Sequence, residues 1–432
     1  MSRAHPGPVK WACAAADNPV TMWMMWKGWL FPASEGGLGL GGWSHDIVFV
    51  VLFCALVDFV KLLIELLGRD YPRNFRSDPS QVSAIIACRN GVAELPATIE
   101  ELSRQIPPDR ILVVDDGSSD DTSKIARRMG CTVFRFESSK GKAAAINFAV
   151  HRVKTPLTLL LDDDTRLGGA RIPTSLITDQ GYDAVAFYVL PDRRNRGGAR
   201  GNTFIGHLQR YEYAKSMEIG KRFHDVTQSI SCVSGAVGLF RTETLNRYHH
   251  QHTGVFQGED LQRTIIHLLN NNRIVFADEP VWTVAPGTAW QWFRQRLTGW
   301  YPGIYHQLPN LFRLMVSRNA PWRLRYEMAY NIYTVLSDPL KTWSMIMLLL
   351  TPGLRWWAPA LYLTYLSFEF YPYLVIRMPG GRRRAPLGVL LLYPLYGAVN
   401  TVLRTLALPV WLWMRFVTGS MRPRKGPKDR MS

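Results

Sequence analysis

The stretch "LTLLLDDDT" at residues 157–165 decides how the chain is read. An apolar run this short, bounded by polar residues, reads as a strand buried on both faces, and such strands belong to parallel sheets covered by helices. The run stops at three adjacent carboxylates, Asp162, Asp163 and Asp164. Side chains of an extended chain alternate sides, so Asp162 and Asp164 share one side and Asp163 takes the other. A D-x-D pair suits a hard divalent cation, which takes one or two carboxylates and completes its shell with phosphate oxygens. In isolation the same residues would also make a solvated acidic turn before a helix.

Working outward, residues 82–87, 110–115, 131–136, 157–162 and 182–190 read as strands, with helices at 94–106, 120–130 and 142–153 between them. This alternation predicts a mostly parallel sheet with helices on both faces, and ligands in such sheets bind beyond the carboxyl ends of the strands. Two acidic clusters fall there, "VVDDGSSDD" (113–121) and "DDD" (162–164). Asp115 and Asp116 can accept hydrogen bonds from a nucleotide base or ribose, or cap the next helix. Lys140 and Lys142, in "SSKGKAAAIN" (138–147), stand before a helix where a diphosphate would be held. In "GVFQGEDLQRTI" (254–265), Glu259 and Asp260 open a helical stretch; either can serve as a general base or simply favour the helix dipole.

The chain is also strongly basic, with a formal net charge of +17, and 47 % hydrophobic. The basic clusters flank apolar runs, as in "RNFRS" (73–77), "RMPGGRRR" (377–384) and "RPRKGPKDR" (422–430). That placement predicts a membrane protein with these segments on the cytoplasmic side. No nucleic-acid motif is present, and nucleic acid is not an expected partner. Five scattered cysteines without a CxxC spacing argue against a disulfide framework or a zinc site.

The domain plan follows. Residues 1–43, with "TMWMMWKGWLF" (21–31), read as an N-terminal interfacial segment, and 44–69 as a transmembrane helix on which Asp58, Lys61 and Glu65 share one face. Residues 70–288 form the cytoplasmic catalytic domain and 289–330 interfacial amphipathic helices. Residues 331–418 hold three apolar runs (332–351, 356–376, 385–417), and 419–432 are a basic cytoplasmic tail. Basic segments on both sides of 385–417 call for an even number of crossings there, met by a tilted hairpin or re-entrant pair.

The ordered set "ACRNG" (87–91), "VVDDGSSDD", "KGKAAAIN", "LLLDDDT", "SCVSGAVGLFR" (231–241), "GED" (258–260) and "RQRLTGW" (294–300), followed by apolar helices, resembles the processive family-2 glycosyltransferases, the cellulose, chitin and hyaluronan synthases and their relatives. The resemblance covers about residues 80–302. It implies an α/β GT-A (Rossmann-like) catalytic domain with transmembrane and interfacial helices, in the plasma membrane, its catalytic domain cytoplasmic. It implies inverting transfer from a nucleotide-sugar donor, UDP-linked, to a growing glycan, with Mg²⁺ or Mn²⁺ as cofactor, and export of a β-linked polysaccharide among membrane lipids. Asp115, Asp116, Lys142 and Asp162 would bind the donor, Asp164 the metal. Asp260 would be the base, with Glu259 beside it. Ser234, Gly235, Gln295, Arg296 and Trp300 would form the acceptor side. A non-processive enzyme acting on a lipid or polyprenyl-phosphate acceptor would use the same site. The family's membrane-surface motif is Q-x-x-R-W; here Thr298 and Gly299 stand at the Arg and Trp positions and Trp300 comes one residue late, about 100° around an ideal helix. Arg89, within "ACRN", departs from the family pattern as well.

Overall fold

A computed structural model describes residues 41–68, 73–192, 203–255, 258–376 and 384–421. Most of the N-terminal interfacial segment and of the basic tail lie outside these residues.

Seven strands make one mixed sheet. They are β1 (Val82–Cys88), β2 (Ile111–Asp115), β3 (Thr132–Arg135), β4 (Leu157–Asp162), β5 (Ala184–Pro191), β6 (Val237–Arg241) and β7 (Ile274–Thr283), in the order β3-β2-β1-β4-β6-β5-β7. β1 to β4 run parallel, with Ile86 opposite both Val113 and Leu161. β6 inserts antiparallel between β4 and β5, and β7 pairs parallel with β5. The central strands are apolar because helices cover both faces: every residue of β2 and β5 is buried. The covering helices include α1 (Leu95–Leu102), α2 (Thr122–Arg128) and α3 (Lys142–Val150), whose Ile99, Ala126 and Ile146 enter the core.

The strands expected from sequence are present, with ends shifted by a residue or two. The sequence reading did not separate out β6 and β7. β6 is the one strand that breaks the parallel pattern, and its "VGLFR" is short and interrupted by glycine. The interruption has a purpose: a Cβ at Gly238 would sit 2.5 Å from the Val233 side chain.

The non-catalytic part is helical. An N-terminal helix, here αN, spans Gly41–Leu67. Its Asp58, Lys61 and Glu65 stripe faces protein: Lys61 lies 2.7 Å from Glu327 and 2.9 Å from Glu65, and Asp58 lies 2.9 Å from Lys341. The opposite face presents Phe53, Leu56, Val60 and Ile64. After the sheet come αA (Ala289–Gln295), αB (Tyr301–Val316), αC (Trp322–Leu350), αD (Trp357–Val375) and αE (Leu387–Leu412). Among the described residues, two helical stretches are long and apolar enough to cross a membrane, Ile47–Leu67 and Leu387–Val417.

The expectation of a hairpin in 385–417 is corrected. The run is a continuous helix, αE, extended by a π-helical turn at Trp413–Val417. Pro394 and Pro409 are accommodated inside it without reversing the chain. αE touches the sheet-bearing domain at two places: Tyr396 donates to Glu212, and past the end of αE Met414 and Met421 pack on Val255.

Candidate active site

The site forms where β4 leaves the sheet. Asp162 ends the strand, its amide donating to the Ala236 carbonyl at the start of β6. The three aspartates then separate as an extended chain requires. Asp163 turns back toward β1, where its carboxylate accepts from the Cys88 thiol at 2.9 Å and its carbonyl from Thr98 at 2.6 Å. A side chain at Gly91 would collide with that thiol and that carboxylate, so the glycine keeps the back of the cluster closed.

Asp162 and Asp164 stand on the ligand side. Lys142, at the first turn of α3, lies 2.5 Å from Asp162 and 3.1 Å from Glu259 and donates to the Gly235 carbonyl at 2.9 Å. Burial disfavours its charge, but Asp162 and Glu259 outweigh burial and keep the ammonium protonated. Among the described residues Asp164 has no cation within ion-pair reach; its contacts are long ones, 3.3 Å from the Thr283 hydroxyl and 3.5 Å from that of Thr165. Burial, followed by the charges of Asp162 and Asp163, pushes its carboxyl up to about 7. A carboxylate held this way fits a hard divalent cation. No group of three metal-binding side chains converges among the described residues, consistent with a cation held by one or two carboxylates and a phosphate-bearing ligand.

Glu259 and Asp260 divide. A helix, here αF, spans Glu259–Leu269 and starts after Gly258 in the left-handed conformation (φ 72). A Cβ on Gly258 would meet the Gly303 backbone at 3.1 Å, so both the φ and the close approach require glycine. Glu259 is 4 % exposed, and its two oxygens are committed to Arg263 at 2.5 Å and Lys142 at 3.1 Å. Burial alone would raise its pKa; Arg263 and then Lys142 reverse this and bring it to about 2. Glu259, expected beside the base, is paired with Lys142 and Arg263. Asp260 is only partly buried and lines a cavity of about 550 Å³. Its Oδ2 accepts from the Gly235 amide at 2.9 Å and its Oδ1 from Leu261 at 2.9 Å. A Cβ at Gly235 would stand 3.3 Å from both Asp260 and Lys142, so this one backbone unit joins the D-x-D side to the cavity side. Ser234 lines the same cavity.

The other expected residues are placed as follows. Asp115 is fully buried, accepting from the Ser118 amide at 2.8 Å and from the Ser123 hydroxyl. Asp116 accepts from the amides of Lys140 at 2.6 Å and Gly141 at 2.9 Å and from the Ser139 hydroxyl at 2.7 Å. Both carboxylates thus tie the loops that frame the strand ends.

Trp300 also lines the cavity and is 41 % exposed. It closes a π-helical turn, Arg296–Trp300, in which the Tyr301 amide bonds the Arg296 carbonyl. Such a turn takes up one extra residue. The expected 100° offset is thereby corrected, because residues five apart share a face here. Arg296, expected at the acceptor, is 2 % exposed behind Trp300, and the cavity lining does not include Gln295. Arg294 is exposed on the opposite side of the helix.

Residues 83–247 match the family model "Glycosyl transferase family 2". The match takes in β1 to β6, all but the first residue of β1, and carries the D-x-D end of β4. The chain is 23 % identical over 348 residues to a poly-β-1,6-N-acetyl-D-glucosamine synthase of Staphylococcus epidermidis, covering 75 % of this chain and 79 % of the relative. A succinoglycan biosynthesis protein of Rhizobium meliloti is 30 % identical over 113 residues, 25 % of this chain and 33 % of that protein. In fold, the chain superimposes on a mannosyltransferase of Pyrobaculum calidifontis, solved with GDP-Man and Mn²⁺, with a TM-score of 0.54 at 15 % identity, covering 87 % of this chain and 99 % of that one. The architecture is GT-A-like.

Three contributors to the transferase site were not singled out from sequence. Arg263 was legible in principle as the i+4 partner of Glu259. Glu212 and Tyr396, which meet behind Trp300, carry no local signal, since 184 residues separate them in the chain.

Proposed function

We propose that the protein is a membrane-embedded inverting glycosyltransferase that moves a sugar from a nucleotide diphosphate, UDP-linked, onto a growing β-linked glycan. One observation carries the reading: Asp260 opens into a cavity with Trp300 on its wall, while the Gly235 backbone joins it to Lys142 and the D-x-D pair. Base and donor-binding charges thus meet at one point from two sides. The synthase relative makes N-acetylglucosamine the first sugar to try.

Asp260 takes the proton from the acceptor hydroxyl as that oxygen attacks the anomeric carbon. The diphosphate leaves from the opposite face, so a single displacement inverts the centre and no covalent nucleophile is needed. Lys142 supplies a positive charge beside the departing diphosphate. Asp164, with Asp162, would hold Mg²⁺ or Mn²⁺, which when bound offsets the charge on the leaving group. Asp115 and Asp116 shape the pocket for the nucleotide through the loops they fix. Trp300 offers an aromatic face to the acceptor sugar, and the cavity continues past it to Leu311, Val335 and Arg404, between the helices that follow the domain.

We further infer that αN and αE embed the protein in the membrane, with αC and αD packed beside them. αE also leans on the sheet-bearing domain through Tyr396 and through Met414 and Met421. Its apolarity would allow a span, and its polar Asn400, Thr401 and Arg404 meet αB and αC instead of lipid.

The donor is tested with purified protein in lipid, Mg²⁺ or Mn²⁺, and a panel of UDP- and GDP-sugars. Release of UDP from one UDP-sugar is expected; release from none, or from GDP-mannose alone, overturns the donor assignment. Trp300→Ala should lower acceptor use about tenfold and shorten the products, since stacking on an aromatic ring contributes roughly 1–2 kcal/mol. Products of unchanged length would reduce Trp300 to a membrane-surface anchor.

A further inference from the structure

Beside Trp300 a polar relay, whose half-buried Glu212 also lines the cavity, reaches the last helix. A helix, here αG, spans Phe204–Lys215 and carries Glu212. One oxygen of Glu212 accepts from Arg296 at 2.5 Å and from the Tyr396 hydroxyl at 2.7 Å. The Tyr396 oxygen in turn accepts from the indole N–H of Trp292 at 2.9 Å, which directs the tyrosine's proton toward Glu212. The guanidinium of Arg296 lies over the Trp300 ring, 3.9 Å from its centroid. Arg296 is 2 % exposed and its Nε has no hydrogen-bond partner. Glu212 is the carboxylate that pairs with it among the described residues. The position of the guanidinium, and with it the tilt of the indole, therefore depends on a single anion, which Tyr396 holds in place from αE.

We propose that Glu212 and Tyr396 are the positioning residues of the acceptor platform: they fix Arg296 against one face of Trp300, leaving the other face to the acceptor sugar. This rests on the reading of Trp300 as that platform. Arg296, expected from sequence to meet the acceptor, then acts through the ring it supports. The guanidinium covers one indole face, so one sugar orientation is admitted. Removing the carboxylate leaves a buried cation uncompensated, which would leave the ring for water or the cavity. Removing only the tyrosine hydroxyl loosens Glu212 and strands the Trp292 N–H.

The test uses the full chain in lipid, with UDP-N-acetylglucosamine as donor and N-acetylglucosamine oligomers as acceptors, for Glu212→Gln, Tyr396→Phe, Trp300→Ala and the Glu212→Gln/Trp300→Ala double variant. Glu212→Gln should raise the acceptor KM about tenfold and shorten products, and Tyr396→Phe about threefold, as expected for a charged and a neutral hydrogen bond. UDP binding and acceptor-independent donor hydrolysis should stay within about twofold of wild type. The double variant should match Trp300→Ala, because the two act as one unit. If Trp300→Ala itself leaves acceptor KM and product length at wild type, the platform reading fails. If Trp300→Ala has its effect while Glu212→Gln and Tyr396→Phe do not, or if the effects multiply, the positioning role fails alone. Loss of UDP binding together with acceptor use would also overturn it. Should Glu212→Gln not fold, the isosteric Tyr396→Phe carries the same comparison.

Discussion

Replacing Asp260 by Asn should lower sugar transfer about 10³-fold while UDP binding persists, within the range by which a positioned general base accelerates a reaction. The substitution keeps shape and leaves one oxygen to accept from the Gly235 amide, so the loop at 234–236 should hold, while the Leu261 amide loses its acceptor. What disappears is the group that takes the acceptor's proton. Donor hydrolysis by water should fall with transfer if Asp260 also activates water, whereas UDP affinity, set by Lys142 and the D-x-D pair across the Gly235 backbone, should not. Transfer within a few-fold of wild type would remove Asp260 from the reaction. Weakened UDP binding would instead place it on the donor side.

Asp164→Asn should abolish metal-stimulated turnover. Lewis-acid stabilisation of a leaving diphosphate is worth several kcal/mol, or roughly 10²–10³-fold in rate. The structure adds an opposite-signed expectation for stability. Without metal, Asp164 is a half-buried carboxylate next to Asp162 and Asp163 with no ion-pair partner among the described residues. Asn removes that repulsion, so the metal-free variant should melt no lower than metal-free wild type. The rise in melting temperature that Mn²⁺ with UDP gives the wild type should be lost. Turnover unaffected by a chelator, or a variant that keeps its Mn²⁺-dependent shift, would separate Asp164 from the metal. Asp162→Asn would be less clean, because it also unpairs Lys142.

These two carboxylates also show what a sequence can and cannot reveal. The strand before Asp162 was legible because a strand buried on both faces has little choice but to be continuously apolar. The alternation within "DDD" followed from the geometry of an extended chain, and Asp163 does turn away to Cys88. The division between Glu259 and Asp260 was not legible. Both sit in one helical turn, and only tertiary packing brings Lys142 and Arg263 onto Glu259 and leaves Asp260 at the cavity. Asp115 and Asp116 were placed at strand ends, and the structure adds what the sequence did not show: hydrogen bonds to nearby amides and hydroxyls, up to 25 residues away. The phase of Trp300 was misjudged for a specific reason: an ideal 3.6-residue helix was assumed where the chain makes a π-turn. The prolines of αE suggested a reversal, but interior prolines can be absorbed where neighbouring helices and polar side chains satisfy the freed backbone.

The central claim, chain extension at a single site joining the D-x-D end of β4 to the Trp300 cavity, is tested most directly by product size. Purified protein in lipid vesicles is supplied with radiolabelled UDP-N-acetylglucosamine and Mg²⁺, and the products are resolved by length before and after a β-specific glycosidase. The account predicts a long, glycosidase-sensitive polymer from wild type and none from Asp260→Asn. A wild-type product carrying a single sugar on a lipid would contradict it.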